Sequence, residues 1–213
     1  MTGFLPLEFL VSALVTLAVV VDPIGLVPAF TAVTHGLRPK ARRDVALRAC
    51  VIAALILAGS ALIGEWLLRT LSISLPAFRI AGGLLLFSIA SEMVFGVRTQ
   101  RQFQTAEHAV EKERVRNIAA FPLAIPLMAG PGAITATILL SGRAGGDPMR
   151  LAILLGVIAL VFALCGVVFL MSTRIARLIG TTGNVVLSRL LGVLLAALAV
   201  QFVVDGVRAI IAG

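Results

Sequence analysis

Two short stretches place polar chemistry where the surrounding sequence is almost wholly apolar. One is Asp22-Pro23-Ile24-Gly25-Leu26, followed closely by Pro28 and Phe30; the other is Gly130-Pro131-Gly132-Ala133, with Thr135 two residues on. Proline costs little at the first position of a helix and Asp is a favoured N-cap, so Asp22-Pro23 reads as one half-helix ending and a second beginning. Gly130-Pro131-Gly132 does the same without a capping side chain. Its N–H groups and positive dipole end therefore stay available to an anion such as a carboxylate, and Gly132 lets that ligand come close. Asp22 can occupy the N–H groups beside it or offer its carboxylate to a cation. An acidic end and an amide-rich end facing across a small cavity would suit an amino-acid zwitterion. Thr135, in the second half-helix, and Gln201, one turn before Asp205, complete the candidate polar contacts.

Each of these features also has a plain structural reading. Asp22 can be a cap and nothing more, the glycines can be packing kinks, and Thr135 can bond back onto its own helix. Enzyme chemistry has less support. No histidine lies inside an apolar run, Cys50 and Cys165 are not placed near a histidine or each other, and no paired nucleophile and base is visible. Catalytic residues, a metal site and a cofactor are therefore not expected.

The elements that must position these residues are set by composition. Of 213 residues 60% are hydrophobic and 13% charged, with mean hydropathy +1.09, far from the roughly 25% charged of soluble domains. The lipid bilayer is the expected solvent. About 20 apolar residues cross it, and runs of that order fall at about 5–33, 45–68, 75–95, 118–140, 151–171 and 187–211. Little remains for a soluble domain, so 1–213 reads as a single transmembrane domain. The first run has no basic leader and runs into Asp22-Pro23 rather than a cleavage site, so it is expected to be retained. The polar insert 96–117, with its charged run 107–114, reads as a solvated surface helix or mobile loop connecting two halves.

Net charge +8 does not indicate nucleic acid, because the cations sort by loop. Six spans put thirteen Lys and Arg on the side of loops 35–48, 96–117 and 174–189, and five on the other. The positive-inside rule makes the first side cytoplasmic and places both termini outside.

The halves resemble one another. At an offset of 110, the segment from Arg79 to Gly96 matches that from Arg189 to Gly206 with six identities in 18 positions, including the Arg pair and two Gly pairs. At an offset of 108, Pro23 meets Pro131. Each half, 1–96 and 118–213 around a connector 97–117, carries three spans. An odd number forces the halves to cross in opposite directions, so the expected fold is an all-α membrane protein of six helices in two inverted repeats, with discontinuous first and fourth helices. Broken helices at matching places in inverted halves point to a midplane substrate site in a secondary transporter.

These blocks, together with Ile80-Ala81-Gly82-Gly83-Leu84-Leu85-Leu86-Phe87, Pro126, and Ala199-Val200-Gln201-Phe202 with Asp205-Gly206, resemble the signature blocks of the MarC family, also called the neutral amino acid transporter family. The resemblance covers essentially the whole chain. It implies an inner-membrane protein with six spans and outer termini that moves small neutral amino acids such as glycine and alanine. The family commonly carries Asn where this chain has Leu26, so this chain lacks that polar side chain at the first break. No ATP-binding loop is present, so energy must come from the substrate's own gradient or a coupling ion, a proton first and sodium second, with Asp22 the candidate proton carrier. A lipid-carrier flippase would need basic residues near the midplane, and a passive channel would need more polar lining. Self-association into a homo-oligomer is left open.

Overall fold

The computed structural model describes residues 6–112 and 118–212, and every element in them is helical. Helices α1 (Pro6–Val21) and α2 (Val27–Val33) flank the first break, followed by α3 (Pro39–Thr70), α4 (Leu75–Val94) and α5 (Val97–Lys112). An irregular helical stretch, Ala119–Met128, leads into α6 (Pro131–Ala144), then α7 (Pro148–Leu170) and α8 (Ser172–Ile211). Among the described residues four helices are long and apolar enough to cross a membrane: α3, α4, α7 and the part of α8 from Thr182. The irregular stretch and α6, bent by 59° at their junction, make a fifth span if counted as one. α1, with 16 residues, is apolar but shorter.

Helix ends follow local chemistry. Ser74 accepts a hydrogen bond from the Ala77 N–H at 3.3 Å to open α4, and Asp147 accepts one from Met149 at 2.9 Å to open α7. Proline sits in the first turn of α2, α3, α4, α6 and α7, where its missing N–H costs nothing. Within the irregular stretch Phe121 and Ile125 are extended, each ahead of a proline, as the steric demand of proline on its predecessor requires. Gly180, at φ 63°, ψ −178°, kinks α8.

The packing is that of a membrane bundle. Small residues line the inner stripe of α3, at Ala46, Ala49, Ala53, Ala61 and Gly64, while Leu55, Trp66, Phe87 and Leu160 face outward. Lipid supplies no drive to bury leucine, so close backbone approach holds such helices together. α4 and α8 lie antiparallel in the most extensive contact of the fold. A Cβ added at Gly83 would meet the Ala199 carbonyl oxygen at 2.7 Å; one at Gly192 would meet Met93 Cβ at 2.8 Å and the Ala90 carbonyl at 3.1 Å. The contacts are reciprocal between residues 110 apart: Gly206 lies against Arg79, and Gly96 against Arg189. α3 packs on α7, on α6 and on the irregular stretch, while α7 packs on α1.

The expectation of a solvated connector changes here. Residues Val97–Lys112 form a helix that packs against α2, α4 and the irregular stretch, and Gln102 is buried. The side chains of the charged run 107–114 lie outside the described part. One side chain of this polar helix, Arg98, is held by the backbone carbonyl of Val20 at the end of α1.

Candidate functional site

At the first break α1 ends because Asp22 turns left-handed, φ 52°, a conformation that Asp and Asn tolerate better than other side chains. Its carboxylate folds onto the chain and accepts the Gly25 N–H at 3.0 Å. Gly25 is required there: a Cβ would collide with Asp22 Oδ2. The turn closes through Leu26 N–H to Asp22 O at 3.1 Å and Val27 N–H to Ile24 O at 3.0 Å. The second half-helix therefore begins at Val27 rather than at Pro23, and Asp22 closes the turn after α1 instead of capping α2. The N-cap of α2 is Leu26, which makes no side-chain cap and is fully buried in the apolar core. Pro23 and Gly25 are buried in this turn and Ile24 is half-buried.

At the second break Gly130 is extended (φ −77°, ψ 173°) and Pro131 occupies the first position of α6, with no side-chain cap. The first-turn N–H groups of Gly132 and Ala133 have no acceptor within their own helix. A Cβ at Gly132 would run into Ile89 Cδ1 and come within 3.7 Å of Val20 Cγ1, so the end of α1 abuts the start of α6. Thr135 is buried one turn further in, its methyl packed where a Cβ on Gly82 would go.

A cavity of about 260 Å³ opens between these ends. Its walls are Val20 from α1, Ile89 and Glu92 from α4, the segment from Gly130 to Ala133, and Arg98, Arg101, Gln102 and Thr105 from α5. Arg98 reaches inward: Nη2 donates to the Val20 carbonyl at 2.6 Å and Nη1 to Met93 Sδ at 3.0 Å. The guanidinium thus caps a carbonyl that the break leaves without its helical partner. Arg101 pairs with Glu92 at 2.7 Å.

Of the residues singled out from sequence, Gly130, Pro131, Gly132 and Ala133 line the cavity. Asp22, Pro23, Ile24, Gly25 and Leu26 form the turn behind it, and Asp22 is not among the lining residues. Gln201 lies elsewhere. Its Nε2 donates to Asp205 Oδ1 at 2.7 Å, while Asp205 Oδ2 accepts from Arg143 at 2.8 Å and the Arg143 guanidinium lies 4.4 Å from the Phe202 ring centre. Cys50 and Cys165 are free and buried.

Sequence reasoning did not place the α5 residues at a site. A signal existed: 98, 101, 102 and 105 recur at the i, i+3, i+4, i+7 spacing of one helix face, here a polar one.

The family described as MarC family integral membrane protein matches residues 7–211. The chain is 38% identical over 201 residues to a UPF0056 membrane protein of Archaeoglobus fulgidus, covering 94% of this chain and 92% of that one. It is 37% identical over 199 residues to a UPF0056 membrane protein of Aquifex aeolicus (93% and 92%), and 36% identical over 196 residues to the UPF0056 membrane protein YhcE of Escherichia coli (91% and 89%). No solved structure matches. Similarity along nearly the whole chain decides the family: the protein belongs to the MarC family of integral membrane proteins.

Proposed function

We propose that this protein is a secondary transporter that moves small neutral amino acids of the glycine and alanine type across the inner membrane by alternating access. The observation that carries the proposal is the cavity at the uncapped start of α6, next to the broken end of α1. Irregular backbone at membrane depth is tolerated where it meets protein, water or ligand, and a helix N-terminus favours a carboxylate. The volume suits a small solute with water rather than a lipid headgroup and its tails. A coupling proton or sodium ion supplies the energy, and Asp22, buried in the first break, is the candidate proton carrier.

Six spans in two inverted halves belong to the same proposal. Reciprocal contacts between α4 and α8 at an offset of 110, in antiparallel register, are what a two-fold axis in the membrane plane would produce. The packing of each half's second helix on the other half's broken first span has the same symmetry. α1 then counts as a crossing together with the turn and α2, the roughly 1.5 Å rise per residue giving α1 most of the hydrocarbon thickness. Tags before Met1 and after Gly213 are expected on the periplasmic side, and Lys40→Cys is expected to label from the cytoplasmic side. An N-terminal tag on the Lys40 side would reduce the count to five.

Uptake of a labelled amino-acid panel into proteoliposomes, with imposed proton and sodium gradients, tests the function. Glycine and alanine are expected to accumulate faster with an inward proton gradient, and charged amino acids are not. Absence of uptake with any amino acid would sink the proposal and favour a lipid-carrier flippase or a passive channel.

A further inference from the structure

We infer that the Glu92–Arg101 ion pair is the part of the cavity that reads a zwitterion: it opens to admit an α-amino acid, whose ammonium takes Glu92 while its carboxylate takes Arg101 and the first N–H groups of α6. This rests on the transport reading above and specifies its substrate contacts.

Three observations lead there. Glu92 and Arg101 both line the cavity and hold each other at 2.7 Å, with the Glu92 side chain 21% exposed and the Arg101 side chain 66% exposed. The arginine can therefore swing into solvent at little cost, whereas the more buried carboxylate needs a cation to replace it. The other charges are committed. Asp22 holds the Gly25 N–H and does not line the cavity, and Arg98 donates to the Val20 carbonyl and to Met93. Finally, two helix ends of opposite polarity meet at this place. Glu92 lies in the last turn of α4, the negative end of its dipole, and Gly132 and Ala133 lie in the first turn of α6, the positive end. A ligand with one charge of each sign matches that field, and a ligand carrying one charge alone does not. Ile89, also on the wall, gives a small apolar side chain its contact.

The test is calorimetric binding to the purified full-length protein in lipid nanodiscs, with L-alanine, propionate (no ammonium) and ethylamine (no carboxylate) as probes. Wild type is expected to bind alanine at least tenfold more tightly than either half-ligand. Glu92→Gln should weaken alanine at least tenfold and, because it removes the carboxylate that competes for Arg101, should bind propionate at least as tightly as wild type does. Arg101→Gln removes the competing cation, so ethylamine should bind several-fold more tightly. A pair that merely tied α5 to α4 would predict no gain for ethylamine in that variant. Alanine binding unchanged in Glu92→Gln, or no gain for ethylamine in Arg101→Gln, would overturn the inference, and continued alanine uptake by Glu92→Gln would leave the transport reading standing. If wild type binds and transports no amino acid, both fall together.

Discussion

Asp22→Asn is expected to fold like wild type, whereas Asp22→Ala is expected to lose about 2–5 kcal/mol. The sum comes from roughly 1–2 kcal/mol for an alanine held left-handed and about 1–3 kcal/mol for leaving the buried Gly25 N–H without its acceptor. Asparagine avoids both, since it tolerates the φ of 52° that residue 22 adopts and its carbonyl oxygen can take the Gly25 hydrogen bond at the position of Asp22 Oδ1. What both substitutions remove is the negative charge. The difference in melting temperature between the two variants therefore reads the turn alone. The transport consequence is read on the asparagine variant: alanine binding survives, because Asp22 does not line the cavity, but uptake no longer responds to an imposed pH gradient. Equal melting of the two variants would show that the side chain does not hold the break, and a wild-type pH response from Asp22→Asn would remove Asp22 as proton carrier.

The same residue shows how far sequence carried the argument. That the apolar run breaks near Asp22-Pro23 was legible, because an acid and a proline together are costly inside a continuous helix. Where the second half resumes was not. Asp serves both as a helix N-cap and as a residue for left-handed turns, and only the φ it takes decides between the two roles. The structure takes the second, and α2 starts at Val27. The Gly130-Pro131 break was placed correctly because proline at the first helical position and a glycine before it leave little choice of register. α5 was expected as a surface helix or a loop and is a helix, but what it packs on was not legible: charge density says that a segment needs water or partners but does not say which. Here the partners of Arg98 are a carbonyl 78 residues away and a methionine sulfur. Gln201 divides in the same manner. Its bond to Asp205 is an i, i+4 pair readable along one helix, but the Arg143 that completes the cluster comes from the far end of α6, and only tertiary packing brings it there.

Gly132→Val is expected to yield a folded protein that binds no measurable alanine. The backbone at 132 is ordinary helix, so a side chain is allowed there conformationally, and valine has no propensity cost relative to the glycine it replaces. The conflict is one of space. A Cβ would collide with Ile89 Cδ1 and approach Leu86 Cδ2 and Val20 Cγ1 at 3.7 Å each, and residue 132 itself lines the cavity that the added methyls would crowd. Ile89 Cδ1 is the end of a flexible chain, so Gly132→Ala can be accommodated by its rotation with a partial loss of affinity. Valine covers the N–H groups of α6 that a carboxylate would reach. Gly64→Val supplies the comparison, since its Cβ would meet Ile138 Cγ1 at 2.6 Å, the same kind of clash with an isoleucine on α6, and neither residue lines the cavity. Both valine variants should melt lower by an overpacking cost of about 1–3 kcal/mol, but Gly64→Val should bind alanine as wild type does. Equal affinity in Gly132→Val and Gly64→Val would mean that the start of α6 is a packing kink, and the substrate would have to be sought elsewhere in the bundle.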